Sequence, residues 1–218
     1  RDCLLSRGLG DVYKRQGNNI AENQIFSSGK PEKGDFLYKD TNGDGLINLD
    51  DREIVSDGPN PKFQFGLNLN ASYKGLDFSV LFQGQAGAKI YWQNDLANTA
   101  SVRYGYQMNK EVVEGRWYEG RTTSAEYPRL LEYSNNKNKQ MSDFYLQDLS
   151  FLKIRNIQLG YTLPKSIVSK TSLERIRVYG SLENFFTFTS FRGFDPELGG
   201  TLGYPTMKNV VVGINVSF

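Results

Sequence analysis

The residues best equipped for chemistry lie together in Asp40–Asp51 (DTNGDGLINLDD), where acidic and amide side chains alternate with glycine. Asp40, Asn42 and Asp44 stand at positions 1, 3 and 5 of a twelve-residue loop, Gly45 permits the sharp turn at 6, Leu46 offers its carbonyl at 7, and Asp51 closes the loop at 12. Hard oxygen donors at that spacing suit Ca2+, with Ile47 as the apolar anchor at position 8. The competing reading is an ion-free turn made by Asp, Asn and Gly. Asp51–Val55 is expected to begin a short exiting helix, whereas Gly34–Lys39 reads as extended, so no entering helix precedes the loop.

Other chemistry is sparse. There is no histidine and only Cys3, so a Cys/His zinc site, a Ser-His-Asp triad and a disulfide are excluded. Asp195 and Glu197, in Phe194–Glu197 (FDPE), could be the two carboxylates of a glycosidase, but nothing places them around a scissile bond. No enzyme is expected. A net charge of +2 creates no field that would point to nucleic acid. No run approaches the roughly 18 apolar residues of a membrane helix.

The elements that would position these residues alternate with period two. Phe63, Phe65, Leu67, Leu69, Ala71 and Tyr73 oppose Gln64, Gly66, Asn68, Asn70 and Ser72, and after Lys74-Gly75 the alternation resumes with Leu76, Phe78, Val80 and Phe82. These two segments read as a hairpin. Leu152 and Ile154 hold one phase while Ile157, Leu159, Tyr161 and Leu163 hold the other, so a bulge is expected near Arg155 and Asn156. Ile176, Val178 and Leu182 oppose Arg175, Arg177, Tyr179, Ser181 and Glu183, and Val210, Val212, Ile214, Val216 and Phe218 close the pattern. Strands are therefore expected at 63–73, 76–84, 149–163, 175–187 and 208–218.

Their connections alternate between short and long, the longest being the polar stretch 85–148, with a helical candidate near Gln107–Trp117 and many aromatics. Loops of this length are functional or disordered. Short turns on one side and long loops on the other fit an outer-membrane barrel. Periodicity alone leaves a soluble β-sandwich equally open, because both architectures use one apolar face per strand. Residues 1–16 (RDCLLSRGLGDVYKRQ) show neither period and resemble a translated sequencing adaptor. They are expected to be non-native, the alternative being a flexible loop. The chain begins without Met or a signal peptide, as a truncated one would.

Three groups of motifs carry a family resemblance: Ser150–Pro164 (SFLKIRNIQLGYTLP), Arg177–Tyr179 with Glu183–Thr189 (ENFFTFT) and Gly193–Glu197 (GFDPE), and Gly213–Phe218 (GINVSF). In order and spacing, from about Gly34 onward, the chain resembles the C-terminal region of SusC/RagA-type TonB-linked outer-membrane proteins. The resemblance implies an all-β fold, the last five antiparallel strands of a barrel of about 22, a size class associated with plugged transporters. Residues 17–62 would be an extracellular region holding the calcium loop, and 85–148 and 188–207 extracellular loops. Asp at position 12 makes that loop more like a dockerin loop than a calmodulin-type EF-hand.

The same resemblance implies a Bacteroidota outer-membrane location and import of oligosaccharides or peptides. It implies three partners: a SusD-like surface lipoprotein, the TonB-ExbB-ExbD complex acting through a plug absent from this sequence, and the barrel-assembly machinery reading the terminal aromatic strand. Ca2+ would be a structural cofactor. Trp117, Tyr118 and Tyr127 are weak candidates for cargo contact, self-packing being the plainer role. The alternative function is a secreted, calcium-stabilised β-sandwich that binds carbohydrate.

Overall fold

The structure, a computed structural model, describes residues 5–6, 31–38, 41–47, 49–93, 99–121, 124–135, 137–169, 173–201 and 203–218. Apart from the pairing of Leu5–Ser6, the segment 1–16 lies outside them. The chain divides into two compact units, residues 1–58 with 91–147 and residues 59–90 with 148–218.

The second unit is a five-stranded antiparallel meander in which every strand pairs with its neighbours in sequence. The strands are β1 (Phe63–Tyr73), β2 (Leu76–Ala86), β3 (Phe151–Thr162), β4 (Arg175–Thr189) and β5 (Asn209–Ser217). Their lengths of 11, 11, 12, 15 and 9 residues meet the roughly 9–11 that a tilted strand needs to cross a bilayer. Lys74 and Gly75 both take positive φ, 46° and 88°, as a two-residue type I′ hairpin turn requires.

Register turns the sequence alternation into two chemically distinct faces. Leu69, Val80, Ile157, Leu182 and Val210 form one cross-strand row, and Tyr73, Leu76, Tyr161, Val178 and Ile214 form another on the same face. This face is largely uncovered: Val212 is 77% exposed and Ile214 64%. The opposite face carries Asn70, Ser79, Gln158 and Ser181, then Ser72 and Asp77. There Arg177 of β4 reaches over β3 to Asp77 of β2, its Nε donating at 2.9 Å. Gly160 sits beneath the pair, where a Cβ would come within 2.5 Å of both side chains.

The bulge expected near Arg155 is present. Leu81 pairs with Asn156 and Phe82 with Ile154, leaving Arg155 unmatched by β2, and the β3–β4 register shifts between Glu183 and Phe186. The extra residue returns Leu152 and Ile154 to the face used by Ile157 and Leu159, which explains the phase change in the sequence.

The first unit has a core of its own, so the stretch read as a long polar loop is for the most part packed structure. Phe36, Tyr38 and Tyr145 form one buried cluster, and Ala100, Val112 and Tyr127 another. Phe144 touches both, its ring 4.7 Å from Phe36 and 5.8 Å from Tyr127 between centroids. The expected helix is α1 (Lys110–Gly115), capped by Asn109, whose side chain accepts the Glu111 N–H at 3.2 Å. Buried Asp35 ties residues 31–38 to this core, accepting both Arg129 Nε at 2.7 Å and Asn138 Nδ2 at 3.1 Å.

One local expectation is corrected. The helix expected from Asp51 to Val55 does not form: Leu49–Asp51 is a single 3-10 turn, and Glu53–Ile54 pairs antiparallel with Leu5–Ser6. β-Branched Ile54 and Val55, followed by Gly58-Pro59, favour extended backbone over a helix.

Candidate functional site

In the calcium-type loop, Asp40 and Asn48 lie outside the described residues. The remaining positions fold as a closed loop. Asn42 Oδ1 accepts the Asp44 N–H at 3.0 Å, and Asp44 Oδ1 accepts the Leu46 N–H at 2.7 Å. Gly43 and Gly45 supply positive φ of 76° and 81°. Asp51 is fully buried and closes the ring: its Oδ1 accepts the Thr41 N–H at 3.0 Å, and its carbonyl accepts Thr41 Oγ1 at 3.1 Å. Position 12 is thus held beside position 2 by two hydrogen bonds. Among the described residues no three acidic, His or Cys side chains converge as a metal cluster.

The aromatic candidates separate by burial. Tyr127 is 2% exposed, inside the core around Val112, and Trp117 is 9% exposed. Tyr118 alone presents its ring, at 49%.

On the polar face of the sheet, the two acidic residues of the FDPE segment meet two basic residues of β3. Lys153 is 1% exposed, and its Nζ donates to Asp195 Oδ1 at 2.8 Å and also to Glu197. Arg155 pairs with Glu197 as well and donates to Gln83 Oε1 at 2.7 Å and Asn184 Oδ1 at 3.2 Å. Asp195 organises its own loop besides. It caps the 3-10 turn Pro196–Leu198 by accepting the Glu197 N–H at 3.1 Å, and it takes both the N–H and the hydroxyl of Thr206, at 3.1 and 2.7 Å. Burial by itself would raise the Asp195 pKa. The hydrogen bonds from Lys153 and Thr206, helped by the Glu197 and Thr206 N–H groups, outweigh it and hold the carboxyl far below the usual range. Both carboxylates are consumed by structural pairing, which suits neither for acid–base work.

Sequence reasoning noticed Asp195 and Glu197 but missed Lys153 and Arg155 as their partners. The available signal was two like-signed cations, Lys153 and Arg155, in a segment otherwise carrying apolar and amide side chains.

No protein-family model matches the chain. Curated proteins do. TonB-dependent receptor P3 of Formosa agariphila is 30% identical over 93% of this chain and 21% of its own length, and TonB-dependent receptor SusC of Bacteroides thetaiotaomicron is 27% identical over 98% and 21%. The solved structure of the RagAB peptide transporter superposes with a TM-score of 0.70 at 25% identity, covering 85% of this chain and 21% of that one. The chain belongs to the SusC/RagA family of TonB-dependent receptors.

It spans about one fifth of the length of the relatives it matches. As a SusC/RagA segment its five strands are wall of an outer-membrane β-barrel, which accounts for an apolar face left uncovered and for strand lengths near the bilayer minimum. The polar face, with the Asp77–Arg177 pair and the Lys153 network, then faces the lumen. Arg175 and Glu183, in the same phase of the sequence as Arg177, contact Thr162 and Asn209. The relatives are receptors rather than enzymes, in keeping with the structural use of Asp195 and Glu197.

Proposed function

We propose that the chain forms part of a TonB-dependent transporter that imports oligosaccharides or peptides across the outer membrane together with a SusD-like surface lipoprotein. The observation that carries this reading is the two-faced sheet: an apolar face largely exposed, set against a face of amides and paired charges. A soluble sandwich would bury the first face against a second sheet. The TonB-ExbB-ExbD complex and the barrel-assembly machinery enter as partners through the same family relation. That relation supports the kind of partner; the RagAB peptide transporter supports a peptide cargo, and the oligosaccharide alternative follows from the family resemblance.

The loop Asp40–Asp51 adds a Ca2+ site to this proposal, with Asp40, Asn42, Asp44, the Leu46 carbonyl and Asp51 as ligands. The ion would neutralise the carboxylates and fix the loop, a structural role suited to a weak site in a calcium-rich exterior.

The test is to express the intact parent gene with its native signal. A heat-modifiable outer-membrane band that co-purifies with a lipoprotein supports the reading. A soluble secreted product would overturn it in favour of the calcium-stabilised binding module.

A further inference from the structure

A cavity of about 400 Å3 opens on the polar face of β4, beside the loop that Asp195 organises. Its volume lies within the roughly 300–1,000 Å3 of small-molecule sites. It is lined by Thr187 and Thr189, paired in register with Lys153 and Phe151, and by Phe194, Pro196, Phe185 and Lys208.

The charges are unevenly used. Lys153 and Arg155 neutralise Asp195 and Glu197, so the buried side of the cavity contributes no net charge. Lys208 is different: it lies over the Phe185 ring, 5.8 Å from the centroid, and among the described residues it has no carboxylate partner. Phe194 is 72% exposed, a large apolar ring next to Asp195, whose carboxylate is held by both Lys153 and Thr206. The cavity therefore offers one cation without a carboxylate partner, two aromatic rings and the Thr187 hydroxyl, whereas the Thr189 hydroxyl donates to the Ser150 carbonyl at 2.8 Å and accepts the Phe191 N–H at 3.1 Å. That combination suits an anionic group carried on a flat, partly apolar body.

We propose that this cavity is a subsite for a carboxylate group of the transported cargo, with Lys208 pairing the carboxylate, Phe194 and Phe185 packing against the body that bears it, and Lys153 as the positioning residue that holds the loop in place. The proposal rests on the transporter reading and names a chemical class within it. The carboxylate belongs either to an acidic sugar or to the free C-terminus of a peptide, and the two sources are separable.

The experiment uses the intact receptor, purified from the outer membrane, with heat modifiability as an independent check on the barrel. Binding is measured for four probes: a galacturonate trisaccharide, its methyl ester, a short peptide with a free C-terminus, and the same peptide amidated. One acid is expected to bind about tenfold more tightly than its neutral counterpart, and which acid does so identifies the source. Lys208→Met abolishes that preference and Lys208→Arg retains it. Lys153→Met weakens both members of the preferred pair while making the 191–206 loop protease-sensitive. Equal binding of acid and neutral partner in both pairs, or a preference that survives Lys208→Met, overturns the subsite. Loss of the heat-modifiable band in the unsubstituted receptor overturns the barrel reading instead.

Discussion

The ammonium of Lys153 lies 2.8 Å from the Asp195 carboxylate and joins strand β3 to a loop residue 42 positions further on. Both groups are buried, so each depends on the other for compensation. Lys153→Met leaves Asp195 and Glu197 facing each other without a shared cation, and breaking a buried pair in this way costs about 3–5 kcal/mol. Hydrogen exchange in the intact receptor should show residues 191–206 losing protection while β1 and β2 keep theirs. A double substitution, Lys153→Met with Asp195→Asn, should recover part of the loss. Unchanged exchange in the single variant would show that the pair does not hold the loop.

The same pair predicts an unusual insensitivity to acid. The folded pKa of Asp195 is lowered, so the native state gives up its proton more readily than the unfolded chain does. Its contribution is complete above the unfolded value of about 3.9 and disappears only as pH falls through the lower folded value. Loop protection at 191–206 should therefore be the same at about pH 7 and about pH 5 and should decline only below about pH 4. A transition near neutrality would contradict the assignment.

The strands were legible because the membrane imposes a strict period: Leu69, Val80, Ile157, Leu182 and Val210 each announce the same face, and register then aligns them. The Arg155 bulge was legible for the same reason, as a break in phase. The Lys153–Asp195 pair was not. A buried ion pair between distant segments leaves no periodic trace, and each partner alone reads as an ordinary surface charge. Trp117 and Tyr127 were hidden in another way, since aromatic rings in a polar stretch look alike whether they meet cargo or, as with Tyr127 against Val112, build a core.

Gly75 offers a backbone test of the hairpin. Its φ is 88°, its carbonyl accepts the Thr162 N–H at 2.7 Å, and an added Cβ would come within 2.7 Å of the Thr162 carbonyl oxygen. Gly75→Ala therefore combines a left-handed penalty of about 1–2 kcal/mol with a clash that separates β2 from β3. The yield of heat-modifiable receptor should fall. Lys74→Asn, which favours the turn, should leave that yield equal or higher.

Calcium dependence can be read through the loop itself. With millimolar Ca2+, proteolysis within 41–51 of the intact receptor should slow, and a chelator should restore cutting. Asp44→Ala should remove the response while the barrel still folds, because Asp44 lies exposed and its described hydrogen bonds stay within the loop. Asp51→Ala should do more, since it also frees the Thr41 N–H that Asp51 holds. Proteolysis indifferent to Ca2+ in the unsubstituted protein would identify the segment as an ion-free turn.

Leu69 and Asn70 are adjacent in the middle of β1 and belong to opposite faces, Leu69 in the row with Val80 and Asn70 in the row with Ser79. In the barrel, Leu69→Arg sets a guanidinium against hydrocarbon near the bilayer midplane and costs about 2–4 kcal/mol. Asn70→Arg sets the same group against lumen water and amide side chains, where it remains hydrated. The first variant should lose most of its heat-modifiable outer-membrane band and the second should keep it. The contrast depends on the side of the strand and not on its position along the chain, so comparable loss in both variants would show that the polar face is not a water-facing lumen.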